Sequence, residues 1–91
     1  MKKHFILLSL KTPDFSRGEL KPHAWKEILS SLVLKAKNDS KIGVIILAES
    51  DYEVTLLIPR NESGLVFVAD CIYRVQNYGK CFKSWFLDES E

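Results

Sequence analysis

The chain has 91 residues, with 13 basic and 12 acidic side chains and a formal net charge of +1. Hydrophobic residues make up 46% of it, which excludes the disordered and collagen-like classes of protein. No apolar run reaches the ~18 residues of a membrane-spanning helix, so we expect no membrane partner. The balanced charge gives no general attraction for nucleic acid. The length predicts a single domain, residues 1–91.

The start of the chain superficially suggests a signal peptide, because two lysines precede the apolar residues 5–10. That apolar stretch is too short, and no small-residue cleavage site follows it. The two cysteines, Cys71 and Cys81, are too few for a disulfide framework. We therefore expect a cytoplasmic protein whose cysteines are free and buried.

The first half of the chain predicts one strand and one helix. Residues 4–10 are almost continuously apolar and predict an internal strand, followed by a polar loop over residues 11–21. Pro22 suits the first turn of a helix. The helix that follows has an apolar stripe with spacings of three and four, formed by Trp25, Ile28, Leu29, Leu32 and Ala36.

The second half alternates apolar runs with turn signals. Residues 42–48 and 54–58 predict strands, residues 61–64 a four-residue hairpin loop, residues 77–79 a turn, and residues 81–87 a last strand. Residues 65–76 are ambiguous. As a strand they give an α+β fold in which β-α is followed by an antiparallel four-stranded meander, with one helix on one sheet face. As a helix they give the ferredoxin-like order β-α-β-β-α-β.

A register test favours the meander over the ferredoxin-like arrangement. Closing the two turns at 61–64 and 77–79 collects a mainly apolar face, and a slip of one residue would scramble it. The predicted core face comprises Val54, Leu56, Ile58, Leu65, Phe67, Ala69, Cys71, Tyr73, Val75, Cys81 and Trp85.

The opposite face of this predicted sheet is also rich in apolar residues. A solvated face of an antiparallel sheet is normally polar, and a contiguous apolar patch usually marks a binding surface. Charged groups such as Asp70 and Arg74 within such a patch can fix register and partner choice. The predicted interface is Leu57, Val66, Val68, Asp70, Ile72, Arg74, Phe82 and Phe86. The alternative is that the first strand and the 11–21 loop fold over this face and bury it.

No residue pattern in the chain indicates catalysis. His4, His23, Cys71 and Cys81 lack the close-pair spacing of a metal site. Nucleotide-binding and nucleophile motifs are missing from the sequence. Glu49, Asp51 and Glu53 cluster at a predicted hairpin tip, where a solvated turn is expected. We therefore predict a protein that is not an enzyme, with no catalytic residues, cofactor or metal.

The leading functional hypothesis is a small non-catalytic interaction module that self-associates or docks a protein partner through the apolar sheet face. A phage or mobile-element protein acting on a host factor would fit this description. One alternative is single-stranded nucleic-acid binding, with Phe82 and Phe86 for stacking and Arg74 and Lys80 for phosphates. Another is a small-ligand binder whose pocket lies beside the 11–21 loop, with Asp14, Arg17, Glu19 and His23 as polar candidates.

Overall fold

Two helices and four strands make up the chain in a computed structural model that describes residues 2–13, 15, 21–76 and 82–90. The elements are β1 (Lys2–Leu10), α1 (Pro22–Asn38), β2 (Ile45–Glu49), β3 (Val54–Pro59), α2 (Glu62–Val75) and β4 (Phe82–Ser90). The strands form an antiparallel sheet in the order β2-β3-β1-β4. The predicted α+β class and four-stranded antiparallel sheet are thus confirmed, in the ferredoxin-like arrangement that was the alternative to the meander.

β1 is a central strand, and it pairs with β3 on one side and β4 on the other. Its register with β3 runs from Phe5 opposite Pro59 to Leu10 opposite Val54. Its register with β4 is longer and extends to Lys2 opposite Ser90. The β1–β4 pair therefore continues beyond the end of β3 as a two-stranded ribbon.

The hydrophobic core lies between one face of the sheet and the two helices. Alternate residues of β1 and β3 point into it, since successive side chains of a strand face opposite ways. These strand residues are Ile6, Leu8, Leu10, Val54, Leu56 and Ile58. The helices contribute Trp25, Leu29, Leu32, Val33 and Ala36 from α1, and Phe67, Val68, Cys71 and Val75 from α2.

α1 begins where the sequence predicts, at Pro22. Pro22 occupies the first turn, where its missing N–H costs nothing. Lys35 and Lys37 lie in the last turn, where positive charge complements the helix dipole. The buried Trp25 fixes this helix to the β2–β3 turn, because its Nε1–H donates a hydrogen bond of 2.7 Å to the carbonyl oxygen of Tyr52.

The strand predicted over residues 65–76 is wrong, because these residues belong to α2. The supposed hairpin loop at 61–64 is the start of that helix. The side chain of Asn61 accepts a hydrogen bond of 2.8 Å from the N–H of Gly64, which is the geometry of a helix N-cap. Asn, Ser and Gly are common both in turns and at the N-terminal ends of helices. The composition of residues 61–64 therefore does not distinguish a hairpin loop from the start of a helix.

The last strand was placed beside the wrong neighbour. β4 pairs with β1 and not with residues 65–75, and the turn predicted at 77–79 lies outside the described residues. The strand predicted at 42–48 begins only at Ile45, since Ile42 is buried within the preceding turn. The strand predicted at 54–58 is confirmed as β3.

Candidate interaction surfaces

The sheet has one face turned away from the helices, which we call the open face. Its described residues are Phe5, Leu7 and Ser9 of β1, Ile45 and Ala48 of β2, Thr55, Leu57 and Pro59 of β3, and Lys83 of β4. Most of them are half-buried, and Ile45, opposite Leu57 in the register, is 51% exposed. In the described part of the chain, both helices pack their buried side chains against the opposite face of the sheet. Among the described residues of the open face, Ser9 is buried and Ile45 is the most exposed large apolar side chain.

Polar groups are few among the described residues of the open face. The hydroxyl oxygens of Ser9 and Thr55 lie 3.5 Å apart. The exposed Lys83 of β4 stands opposite Ser9 in the register. Trp85 and Leu87 occupy the β4 positions opposite Leu7 and Phe5. The face is thus apolar over most of its described area, with a hydroxyl pair and one lysine towards one end.

The predicted interface residues do not share one sheet face. Of the eight, Leu57 lies on the open face. Phe82 and Phe86 of β4 are opposite Leu10 and Ile6, which belong to the helix-facing register, and their side chains lie outside the described part of the structure. The other five lie in α2 on the far side of the sheet: Val66, Val68, Asp70, Ile72 and Arg74. The prediction that they share one sheet face is wrong, because it applied a strand period of two to residues that form a helix.

The α2 residues of that predicted set have diverse environments. Val68 is buried and Ile72 packs against the core, whereas Val66 is 65% exposed. The Asp70 carboxylate lies 3.2 Å from Nζ of Lys35 and 3.4 Å from Nε of Arg74. Arg74 also donates a hydrogen bond of 3.2 Å to the hydroxyl of Ser31. Asp70 and Arg74 therefore connect α2 to α1.

A second exposed apolar surface lies on α2, on the side turned away from the sheet. We call it the α2 outer face, and it comprises Leu65, Val66, Ala69 and Tyr73. Leu65 is 48% exposed and Tyr73 is 71% exposed, although both were predicted to be core. The signal that could have found them is their spacing of four residues, which places Leu65, Ala69 and Tyr73 along one side of a helix.

Cys71 is a structural residue of α2. Burial raises the pKa of its thiol to about 12, and the neighbouring Asp70 carboxylate acts in the same direction. The thiolate is the nucleophilic form of cysteine, so this protonated side chain is unsuited to covalent chemistry. Cys81 lies outside the described residues.

The carboxylates around the β2–β3 turn have ion-pair and hydrogen-bond partners. Asp51 lies 3.6 Å from Nζ of Lys26, and Glu49 lies 3.7 Å from Nζ of Lys37. Glu53 accepts a hydrogen bond of 3.3 Å from the backbone N–H of Thr12. These pairs connect the turn to α1 and to the chain after β1.

Within residues 2–13, 15, 21–76 and 82–90, no group of three or more His, Cys, Asp or Glu side chains could hold a metal ion. Neither described helix has the length and apolar character needed to cross a bilayer. Of the polar ligand-binding candidates, His23 is exposed in the first turn of α1, and Asp14, Arg17 and Glu19 lie outside the described residues.

Comparisons with known proteins give little functional information. No protein-family model matches the chain, and no curated protein matches it. A de novo designed protein, Foldit4, aligns with a TM-score of 0.44 and 10% sequence identity, over 99% of this chain and 97% of that chain. Function must therefore be inferred from the surfaces of the chain itself.

Proposed function

We propose that this chain is a non-catalytic protein-interaction module that self-associates by packing its open face against the open face of a second copy. The observation that carries the proposal is the composition of that face. Phe5, Leu7, Leu57 and Pro59 are apolar and half-buried, and Ile45 is 51% exposed. The hydroxyl oxygens of Ser9 and Thr55 lie 3.5 Å apart.

Burial of this face would be favourable. Each Å² of apolar surface removed from water contributes about 25 cal/mol to the free energy of association. A sheet face that stays exposed to solvent is normally polar. Two sheets pack with their apolar faces about 10 Å apart, and their side chains interdigitate. The face of another sheet of similar width could therefore pack against the open face.

A second copy is the occupant that the charge and composition favour. The net charge of +1 adds little repulsion between copies. Homodimer interfaces are more apolar than other protein interfaces, and a two-fold dimer uses the same patch on both subunits. The hydroxyls of Ser9 and Thr55 can share one hydrogen bond, so a partner that covers them needs to offer an acceptor to the one remaining O–H.

The size of the open face sets the expected strength of the dimer. Four strands spaced ~4.8 Å apart, over a six-residue length at ~3.4 Å per residue, give a footprint of roughly 400 Å². Stable interfaces bury about 800 Å² per partner. We therefore expect a weak dimer whose formation depends on concentration.

Single-stranded nucleic acid has less support as the occupant. Such sites combine a basic groove with aromatic side chains for base stacking. Among the described side chains of this face, Phe5 is the one aromatic ring and Lys83 the one cation beside it. The nucleic-acid hypothesis also placed Arg74 in the site, whereas Arg74 lies in α2 and contacts Asp70 and Ser31.

The test is the solution mass of the wild type and three variants over a dilution series, measured by sedimentation equilibrium. Leu57→Lys and Ile45→Lys each place a charge on the open face. Leu34→Lys is the matched control, because Leu34 is 58% exposed on α1. We expect both open-face variants to weaken dimerisation at least about tenfold, equivalent to ~1.4 kcal/mol, and the control to leave it unchanged.

Two outcomes would overturn the proposal. One is a wild type that sediments as a monomer throughout the dilution series. The other is a set of folded open-face variants that associate as strongly as the wild type. Thermal unfolding of each variant checks its fold, and Ile45→Lys serves if Leu57→Lys is unstable, since Ile45 lies on the exposed edge strand.

A further inference from the structure

We infer that the two-fold axis of the open-face dimer runs along the strands, midway between β1 and β3, and that a buried water molecule lies on this axis between the Ser9–Thr55 pairs of the two copies. The arrangement rests on the proposed function, since it requires the open faces to pack against each other. It adds the direction of the axis and a polar binding site within an otherwise apolar contact.

The residues of the open face lie in rows across the sheet, and one row is polar at its middle. In that row Ser9 of β1 is next to Thr55 of β3, and the outer positions are Lys83 of β4 and Ala48 of β2. The described residues of the other rows are all apolar: Leu7, Leu57, Ile45, Phe5 and Pro59. The hydroxyl pair therefore lies at one end of the face along the strands, but at its middle across the strands.

An axis along the strands brings the two hydroxyl pairs together. Ser9 and Thr55 belong to the two central strands, because the order of the sheet is β2-β3-β1-β4. An axis midway between β1 and β3 places β1 of one copy over β3 of the other. Ser9 of each copy then lies over Thr55 of the other copy, as the two-fold symmetry of a dimer requires.

An axis across the strands would bury a hydroxyl without a partner. Through the middle of the face, such an axis places the polar row of one copy over the row of Phe5 and Pro59 of the other. Neither side chain accepts a hydrogen bond, so each copy would bury the one O–H that the Ser9–Thr55 pair leaves over. A crossed arrangement also places the polar row over apolar side chains. A buried donor without a partner carries the full cost of its desolvation, and the axis along the strands avoids that cost.

The spacing of packed sheets leaves room for one water molecule between the hydroxyl pairs. Two packed sheets stand ~10 Å apart, whereas a hydroxyl on Cβ reaches only about 2–3 Å from the plane of its own sheet. The hydroxyls of the two copies are then separated by roughly 5 Å. That gap is close to the span of two successive O–H···O hydrogen bonds of ~2.7–2.8 Å each.

The hydroxyl of Thr55 is the group that binds this water. Ser9 is 4% exposed in the single chain, whereas Thr55 is half-buried, so the O–H of Ser9 donates to Thr55 and the O–H of Thr55 donates to the water. The water in turn donates one hydrogen bond to the Thr55 oxygen of each copy, which has a second lone pair. It thus has two hydrogen bonds to each copy, within the ~2–4 in total that buried waters make.

Two substitutions of Thr55 test the buried water. Thr55→Val keeps the shape of the side chain and removes its hydroxyl, so the water loses its partner in both copies. We expect sedimentation equilibrium to show a dimer weakened about fivefold or more. Thr55→Ser is the matched control, because it keeps the hydroxyl and should change the dissociation constant much less. If the axis ran across the strands, Thr55→Val would add a methyl group to an apolar contact, so a dimer as strong as the wild type or stronger overturns the inference.

Cross-linking tests the direction of the axis without changing Thr55. An axis along the strands sets β4 of one copy over β2 of the other, so position 83 lies over position 48. Chains carrying Lys83→Cys and Ala48→Cys, both in a Cys81→Ser background, are mixed and treated with a short bis-maleimide, since sheets ~10 Å apart are beyond the reach of a disulfide.

The mixed pair should cross-link at least about tenfold faster than either variant with itself, because preassociation raises the effective thiol concentration. A mixture of Lys83→Cys with Leu34→Cys is the control, since Leu34 is exposed on α1 and away from the contact. Equal rates for the mixed pair and this control would overturn the axis along the strands.

The outcomes distinguish this arrangement from the open-face dimer itself. A wild type that is monomeric at every concentration overturns both. A wild-type dimer that Leu57→Lys disrupts, but that Thr55→Val does not weaken or that shows no preference for the mixed pair, overturns the axis and its water while the open-face proposal stands. Thermal unfolding checks the fold of each variant, and the cross-linking decides the direction of the axis if Thr55→Val does not fold.

Discussion

The two helices lie side by side on the same face of the sheet, yet their outer sides differ. On α1 the exposed positions are mostly polar, with Lys26, Glu27 and Ser30 among them, and Leu34 is isolated. On α2 they are mostly apolar. The inner sides of both helices are explained by the core. The difference between the outer sides is not required by the fold.

The helices also differ in how they are fixed to the sheet. α1 is anchored by its largest side chain, the fully buried Trp25. α2 is anchored by its smallest residue, because a Cβ atom added at Gly64 would lie 1.7 Å from the carbonyl oxygen of Pro59. The two helices should therefore respond to opposite changes, α1 to the loss of atoms and α2 to their addition.

The largest effect is expected from Trp25→Ala. Removal of the buried indole loses its packing and its hydrogen bond to Tyr52, and such substitutions cost ~3–5 kcal/mol. The measurement is the free energy of unfolding in urea. A loss below about 1 kcal/mol, the size typical of an average substitution, would contradict the role of Trp25 as the anchor of α1.

A smaller loss, about 1–3 kcal/mol as for other overpacked sites, is expected from Gly64→Ala. Alanine has the higher helix propensity by ~1 kcal/mol, so a gain in stability would show that α2 does not approach Pro59 as closely as described. Ser63→Ala is the control, because Ser63 is exposed in the same helical turn and should change the free energy of unfolding little.

A third difference concerns pH and the inner side of α2. The pKa of Cys71 is raised by burial to about 12 in the folded protein, above the ~8.5 of an exposed thiol. Between these two values the folded state holds a proton that the unfolded state has released. Stability should therefore fall as pH rises through this range, by up to about 1.4 kcal/mol per pH unit from this group.

Cys71→Ala isolates that contribution. It lowers stability at neutral pH through the lost packing, and it should remove part of the decline above pH ~9. The measurement is the difference between the unfolding free energies of wild type and variant as a function of pH, in which the titrations of lysine and tyrosine cancel. A constant difference from pH ~8 to 11 would contradict the burial of this thiol.

α1 could be predicted because its apolar stripe fits a helical period, and β1 and β3 because their apolar runs are short and bounded by turn or loop residues. α2 could not, since a spacing of four residues fits both a helix and a strand. Phe67, Cys71 and Val75 recur every four residues, so they share one side in either structure. Leu65, Ala69 and Tyr73 are also odd-numbered, so a strand would place them on the same face as Phe67, Cys71 and Val75. In the helix they lie on the opposite side, so the strand interpretation combines two distinct surfaces.

The surplus of apolar surface was predictable, but most of its location was not. The composition indicated more apolar residues than one core face and one helix stripe require. The positions of these residues in the sheet depend on which strands pair with β1, and the predicted meander did not assign neighbours to β1. Because β1 is central, its residues Phe5 and Leu7 form the middle of the open face, and neither was among the predicted interface residues.

The central position of β1 also has a consequence for how the chain folds. β1 is the first described element, and β4, which completes one of its two ladders, is the last. Pairing between segments so distant in sequence slows folding. Until β4 arrives, one edge of β1 is unpaired, and an apolar strand edge is a template for pairing with other chains. We therefore expect nascent or partly folded chains to be the species most prone to aggregate.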